Sequence, residues 1–151
     1  MRPAVRAIAL IVAVLSAAAL SLPARADAVE DFARDWLRAE TFALDRYHDD
    51  YRGTAISDGV LAVIRKQQLR GHYEKARRQH EDVRVLAFSM RESKVAGNRI
   101  EVAFWHRQIV DRGGLKVETQ SETTGTIVRG GPAGFQWLAT DTVDYFIRHI
   151  P

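Results

Sequence analysis

The stretch Arg99-Ile-Glu-Val-Ala-Phe-Trp-His-Arg-Gln-Ile-Val110 limits what this chain can fold into more than any other. It is long, β-branched and aromatic, as a strand pressed on a core must be. Side chains alternate between the two faces of a strand. One face carries Ile100, Val102, Phe104, His106, Gln108 and Val110, and the other carries Glu101, Ala103, Trp105, Arg107 and Ile109. The first face is apolar for three positions and then offers an imidazole and an amide. Each of those groups needs a partner once it leaves water. Either His106 and Gln108 line a cavity, or this end of the strand reaches solvent or swaps faces at a bulge.

The chain has 151 residues, enough for one domain but not comfortably for two. Its first 26 residues read as an export leader. Arg2 and Arg6 make a basic start, Ala7 to Leu22 is an apolar run, and Pro23 precedes Ala24-Arg25-Ala26, a small-x-small cleavage site. The apolar run of 16 residues falls short of the ~20 that a spanning helix needs. Cleavage after Ala26 leaves Asp27 to Pro151 as a single domain, periplasmic or secreted, with no stable membrane anchor. The leader takes Arg2, Arg6 and Arg25 with it, so the 22 basic residues fall to 19 and balance the 19 acidic ones. A neutral mature chain gives no support to nucleic-acid binding.

The chain contains no cysteine. Thiol catalysis, cysteine-ligated metal and disulfide support are therefore excluded, and the domain must stand on its apolar core. Charge is nevertheless uneven. Acids crowd Asp27 to Asp50 and bases crowd Arg65 to Arg78. The two segments are expected to pair with each other, the alternative being a basic face for an anionic partner.

Helical spacing of Val29, Phe32, Ala33 and Trp36 predicts a helix from Asp27 to about Arg38, with acids in its first turn where the helix dipole favours them. Leu44, Tyr47, His48 and Tyr51 predict a second, short helix over Phe42 to Tyr51. Ser57 or Asp58 caps a third, with an apolar stripe from Val60 to Ala76 that Gly71 interrupts. From Val83 the period becomes strand-like. Four strands are expected, over Val83 to Arg91, Arg99 to Val110, Leu115 to Val128 and Phe135 to Thr142, joined by turns at Gly97-Asn98, Gly113-Gly114 and Arg129 to Gly134. Gly125 marks a bulge in the third. The tail from Val143 docks as a strand extension or a helix. Helices first and a meander second make an α+β domain, with the helices on one face of a curved antiparallel sheet that encloses a cone-shaped hollow.

Three stretches carry a family resemblance. They are Trp36-x-x-Ala39 followed by Leu44-x-x-Tyr47-x-x-x-Tyr51, the strand Val102-Ala-Phe-Trp-His-Arg-Gln108, and Gly134-Phe-Gln-Trp-Leu138. Together they resemble the nuclear-transport-factor-2-like, or SnoaL-like, superfamily of cystatin-like α+β domains. The resemblance implies a cone-shaped fold that hosts many functions, some isomerising or hydrating apolar ligands with an Asp or His in the cone, many others binding or assembling.

His106 is the acid–base candidate, because imidazole titrates near neutral pH. It would need Asp141, Asp45 or Asp49 to orient it, and a satisfied or half-exposed histidine is the more common outcome. Tyr47 and Tyr51 are candidates to aim hydroxyls at a ligand, and Phe104, Gln108 and Trp137 to line its pocket, although aromatics at such positions more often belong to a core. No metal site is expected at His48, Asp49 and Asp50, which diverge on a helix. No glycine-rich phosphate loop opens a helix, no serine sits in a nucleophile elbow, and no cofactor is implied. The residues favour an exported binding module with a pocket for a small hydrophobic ligand. The alternatives are an isomerase or dehydratase using His106 or a nearby Asp as base, and a homodimeric structural or envelope-assembly protein that pairs through Trp105 and Ile109.

The leader is testable directly. Expressed with its full sequence in a Gram-negative host, the exported protein should begin at Asp27 by N-terminal sequencing, and a product that retains residues 1–26 would contradict the assignment.

Overall fold

Alternating apolar side chains draw residues 81–150 into four long strands, and the rest of the molecule is built against them. The computed structural model describes residues 26–38 and 43–151, so residues 1–25, where an export leader is expected, and residues 39–42 lie outside the described residues. In chain order come helix α1 (26–36), a 3-10 turn (Leu44–Arg46), β1 (Tyr47–Ser57), β2 (Val60–Arg65), α2 (Lys66–Arg78), β3 (Glu81–Ala96), β4 (Arg99–Arg112), β5 (Leu115–Arg129) and β6 (Phe135–Ile150). The strands form one sheet in the order β2-β1-β6-β5-β4-β3. Every neighbouring pair is antiparallel except β1 and β6, which run parallel.

The sheet therefore has six strands where four were expected, and it is mixed rather than wholly antiparallel. The two added strands come from misread helices. Tyr47 and Tyr51 are four apart, and that spacing shares a face on a strand as well as on a helix. The segment Tyr47–Ser57 is a strand, and the expected helix over Phe42 to Tyr51 is reduced to one 3-10 turn. Ser57 and Asp58 do not cap a helix. Asp58 (φ 50°) and Gly59 (φ 74°) form the two-residue turn of a hairpin, with Ser57 paired to Val60. Asp-Gly suits this turn because both central residues must take positive φ. The expected third helix begins only at Lys66, where Gln68 Oε1 accepts the Arg65 backbone N–H at 2.9 Å, and it runs unbroken through Gly71. The tail continues β6 to Ile150 as a strand.

Register shifts interrupt the ladders between Val85 and Ala87, Met90 and Glu92, Gln120 and Ser121, and Thr126 and Ile127. Such bulges bend strands and tighten their twist, which curves the sheet around its helices. The charge segments pair less with each other than expected. Asp49 reaches Lys66 at 2.7 Å, while the α1 acids mostly serve their own helix, as in Arg34–Glu30 at 2.5 Å. On the outer face Glu118 accepts hydrogen bonds from Arg107 Nε at 2.6 Å and from Arg148, tying β4, β5 and β6 together. The Arg148 bond, followed by Arg107, holds the Glu118 carboxyl below the usual carboxylate range.

One end of the cone is filled by aromatic rings. Trp137 is fully buried, with Phe32 at 5.6 Å and Trp36 at 5.2 Å from its ring centre, and Phe104 stands 6.4 Å away. Val29, Ala33 and Leu37 complete the buried face of α1. The place of Gly125 explains the seat of the indole. A Cβ there would lie 2.7 Å from Trp137 Cζ3 and 3.0 Å from the Ala139 carbonyl oxygen. Gly125 thus makes room for a ring rather than marking a bulge in its own strand; the register shift nearby, between Thr126 and Ile127, leaves the extra residue, Leu138, on β6.

Gly125→Val should destabilise the protein by about 1–3 kcal/mol, the usual cost of overfilling a core. A thermal melt reads this as a drop of several degrees, and an unchanged melting temperature would contradict the assigned role.

Candidate functional site

The face of β4 that carries Ile100, Val102 and Phe104 is sealed by α1, but its continuation is not. Beyond Phe104 the sheet opens into a cavity of about 570 Å³ between α2, the C-terminal end of α1 and strands β1, β3, β4 and β6. His106 and Gln108 line it, as do Tyr47 and Tyr51 from β1. The sequence candidates Phe104 and Trp137 do not. Both rings are buried in the aromatic end of the cone, Phe104 against Phe88, Trp36 and Trp137, because α1 delivers Phe32 and Trp36 onto them. They make the floor on which the cavity rests.

His106 is 2 % exposed. Its Nε2 lies 3.3 Å from Thr123 Oγ1, which lies 2.9 Å from Thr142 Oγ1, while its Nδ1 has no partner among the described residues. Two residues along, Gln108 Oε1 is buried and also unpartnered. Burial pushes the His106 pKa down to about 4, against a smaller upward pull from Asp144. The ring is therefore neutral near pH 7.

None of the carboxylates proposed to orient His106 does so. Asp141 faces the other way and accepts the Thr54 hydroxyl, while Asp45 and Asp49 are exposed, with Asp49 held by Lys66. The acid in the same row of the sheet is Asp144. His106 pairs with Ser121 across β4 and β5, and Ser121 pairs with Asp144 across β5 and β6. Ser121 Oγ donates to Asp144 Oδ1 at 2.5 Å. Imidazole and carboxylate are thus two strands apart, with a hydroxyl between them on the strand they share.

The opposite wall is phenolic. Trp36 Nε1–H donates to Tyr47 OH at 2.8 Å, and Tyr47 OH lies 3.3 Å from Tyr73 OH of α2. Tyr51 OH lies 2.7 Å from Thr140 Oγ1, and Gly53 leaves the space this requires, since a Cβ there would sit 2.3 Å from the hydroxyl. Burial raises all three phenols, Tyr51 to about 12, so each keeps its proton at physiological pH. At the mouth, Arg112 Nε is held at 2.8 Å by Glu81, and Lys75 and His72 are exposed on α2.

Sequence reasoning missed Trp36, Tyr73 and Asp144 as cavity residues. For Asp144 the signal was present, because Thr140, Thr142 and Asp144 alternate. Extending β6 past Thr142 puts all three on the inner face. For Tyr73 the signal was the helical stripe with Leu69, whose side chain is buried beside it.

The depressed His106 pKa makes a pH-dependent contribution to stability. The unfolded imidazole takes up a proton near pH 6.5 while the folded one resists until about 4. Stability from this group is therefore complete above about 6.5 and is lost as the pH falls towards 4. Urea titrations of His106→Gln should show a smaller loss between pH 7 and 5 than the native protein shows. Equal losses in both would contradict the burial of a neutral ring.

By sequence, the chain matches no family model and no curated protein. By structure it is similar to many solved folds. A ketosteroid isomerase-like protein from Erwinia carotovora atroseptica superposes with a TM-score of 0.60 at 14% identity, covering 80% of this chain and 92% of that one. A type 2 hexachlorocyclohexane dehydrochlorinase gives 0.61 at 10% identity, over 87% and 93% of the two chains. An NTF2-like protein with a cystatin-like fold from Novosphingobium aromaticivorans gives 0.59 at 12% identity, over 85% and 87%. At these identities the likeness concerns architecture, and the two helices on a curved sheet have the nuclear-transport-factor-2-like fold.

Proposed function

We propose that this chain is an exported binding module that holds a small ligand with an apolar body in its cone and performs no chemistry of its own. The supporting observation is the hollow itself. At about 570 Å³ it falls within the range of ~300–1,000 Å³ typical of small-molecule sites. Leu37, Ile64, Leu69, Val83 and Val110 give it apolar walls, and a few polar groups converge at its inner end. The export half of the reading rests on the leader in residues 1–26.

The second reading is an enzyme of the isomerase or dehydratase kind. It draws on His106 and Asp144 lying in one row of the sheet, and on the isomerase-like and dehydrochlorinase folds among the structural neighbours. Two features weigh against it. A general base works best with a pKa near the working pH, and His106 stands at about 4. Among the described residues no carboxylate is bonded to either of its ring nitrogens. Binding without turnover needs neither.

A panel of small hydrophobic molecules should separate the readings. A ligand at about 100 times its Kd adds about 2.7 kcal/mol to stability, which a thermal-shift assay reads as several degrees. We expect stabilisation of the native protein by some of the panel and its loss in Ala76→Phe, which narrows the cavity from α2. No stabilisation by any member, or an equal shift in the variant, would contradict the proposal.

A further inference from the structure

The inner wall of the cavity holds a carboxylate that the fold does not answer with a cation. Asp144 lies on its inner wall and is half-buried. One oxygen accepts the Ser121 hydroxyl, and among the described residues the carboxylate forms no ion pair. The cations that line the cavity are engaged elsewhere or exposed at the mouth. Arg112 is held by Glu81, and Lys75 is exposed on α2. A carboxylate on the interior face of a sheet is costly unless a cation or several donors meet it.

The wall across the cavity from that charge suits an amine as well. The rings of Trp36, Tyr47, Tyr51 and Tyr73 line the same cavity. Aromatic faces attract cations, most strongly where water is displaced, and rings grouped around an ammonium are a recurring solution for binding amines. Their hydroxyls keep their protons, so the wall stays neutral and does not itself answer the carboxylate. On β4, which lines the same cavity, two buried atoms, His106 Nδ1 and Gln108 Oε1, lack partners among the described residues, and each can accept an N–H.

Resting on the proposed binding role, we infer that the ligand is a cationic amine, its ammonium against Asp144 and its apolar body reaching across the cavity to the aromatic wall and to Leu37, Ile64 and Leu69. A neutral ligand of the same shape would leave the carboxylate unpaired when it displaced water, and an anionic one would be repelled by it. The cavity therefore discriminates by head-group charge, while its apolar walls accept a range of bodies.

Three probes of matched shape test this: 2-phenylethylamine, 2-phenylethanol and 3-phenylpropionate, titrated calorimetrically into the leader-free protein at pH 7.5. We expect the amine to bind at least tenfold more tightly than the alcohol, and the acid more weakly than both. Asp144→Asn can still accept the Ser121 hydroxyl, and it should remove the amine's advantage. Glu122→Gln, on the outer face, should leave the advantage intact. If Asp144→Asn does not fold, the order of the three probes on the native protein decides alone. Equal binding of amine and alcohol, or tightest binding of the acid, would overturn the amine assignment and leave the binding module standing. Binding of none of the three, together with no response to any of the hydrophobic panel, would overturn both.

Discussion

The seat of Trp137 on Gly125 is the contact on which the interior depends. An indole needs a hole in the neighbouring strand, and β5 supplies one by omitting a side chain. Phe32, Trp36 and Phe104 then gather around the ring, and α1 is anchored across that end of the sheet. A cone plugged at one end by four large rings is left open at the other. There the inner face of the sheet carries His106, Gln108, Thr140, Thr142 and Asp144 instead of aromatic bulk. Close packing and hollow are two consequences of one sequence choice, large side chains early on β4 and polar ones late.

How the polar end persists follows from hydrogen bonding. Ser121, Thr123 and Thr140 are buried, yet each hydroxyl meets a group on a neighbouring strand. These bonds cross from β5 to β6 and from β6 to β1, and His106 on β4 meets Thr123 on β5, so the inner face of the sheet is cross-linked as well as laddered. Small β-branched and hydroxyl residues suit a strand while leaving volume above it. Among the described residues four buried side-chain atoms are left unmatched: Gln108 Oε1 and His106 Nδ1 on β4 beside the cavity, Thr119 Oγ1 on β5 and Trp137 Nε1 in the core. Unsatisfied buried groups are rare enough in native proteins to ask for a reason, and a bound partner is one.

The long strands were legible because their period is two and their turns carry paired glycines or Gly-Asn. Ile100 to Gln108 could be assigned to a face from alternation alone, and the face holds in the structure. The first half was harder for a physical reason. Residues four apart coincide on both a helix and a strand, so Tyr47 and Tyr51 could not distinguish the two. β2 lies at the sheet's edge with Val60 and Leu61 largely exposed, so it shows no in–out pattern to read. The Asp58-Gly59 turn was the readable clue there. Phe104 and Trp137 were misplaced in the site because alternation gives a face without saying which part of it a helix covers. Asp144 was passed over because the strand carrying it was ended too early.

Three indole N–H groups report on the account independently in a two-dimensional ¹H–¹⁵N NMR spectrum. Trp36 Nε1 stands at the cavity wall on Tyr47, Trp105 Nε1 lies on the outer face against Tyr145, and Trp137 Nε1 is buried in the core. Titration with 2-phenylethylamine should move the Trp36 resonance and the amides of Gln108 and Thr142, and leave Trp105 in place. Movement of Trp105 alone, or of none of the three indoles at saturating probe, would contradict a ligand seated in the cone.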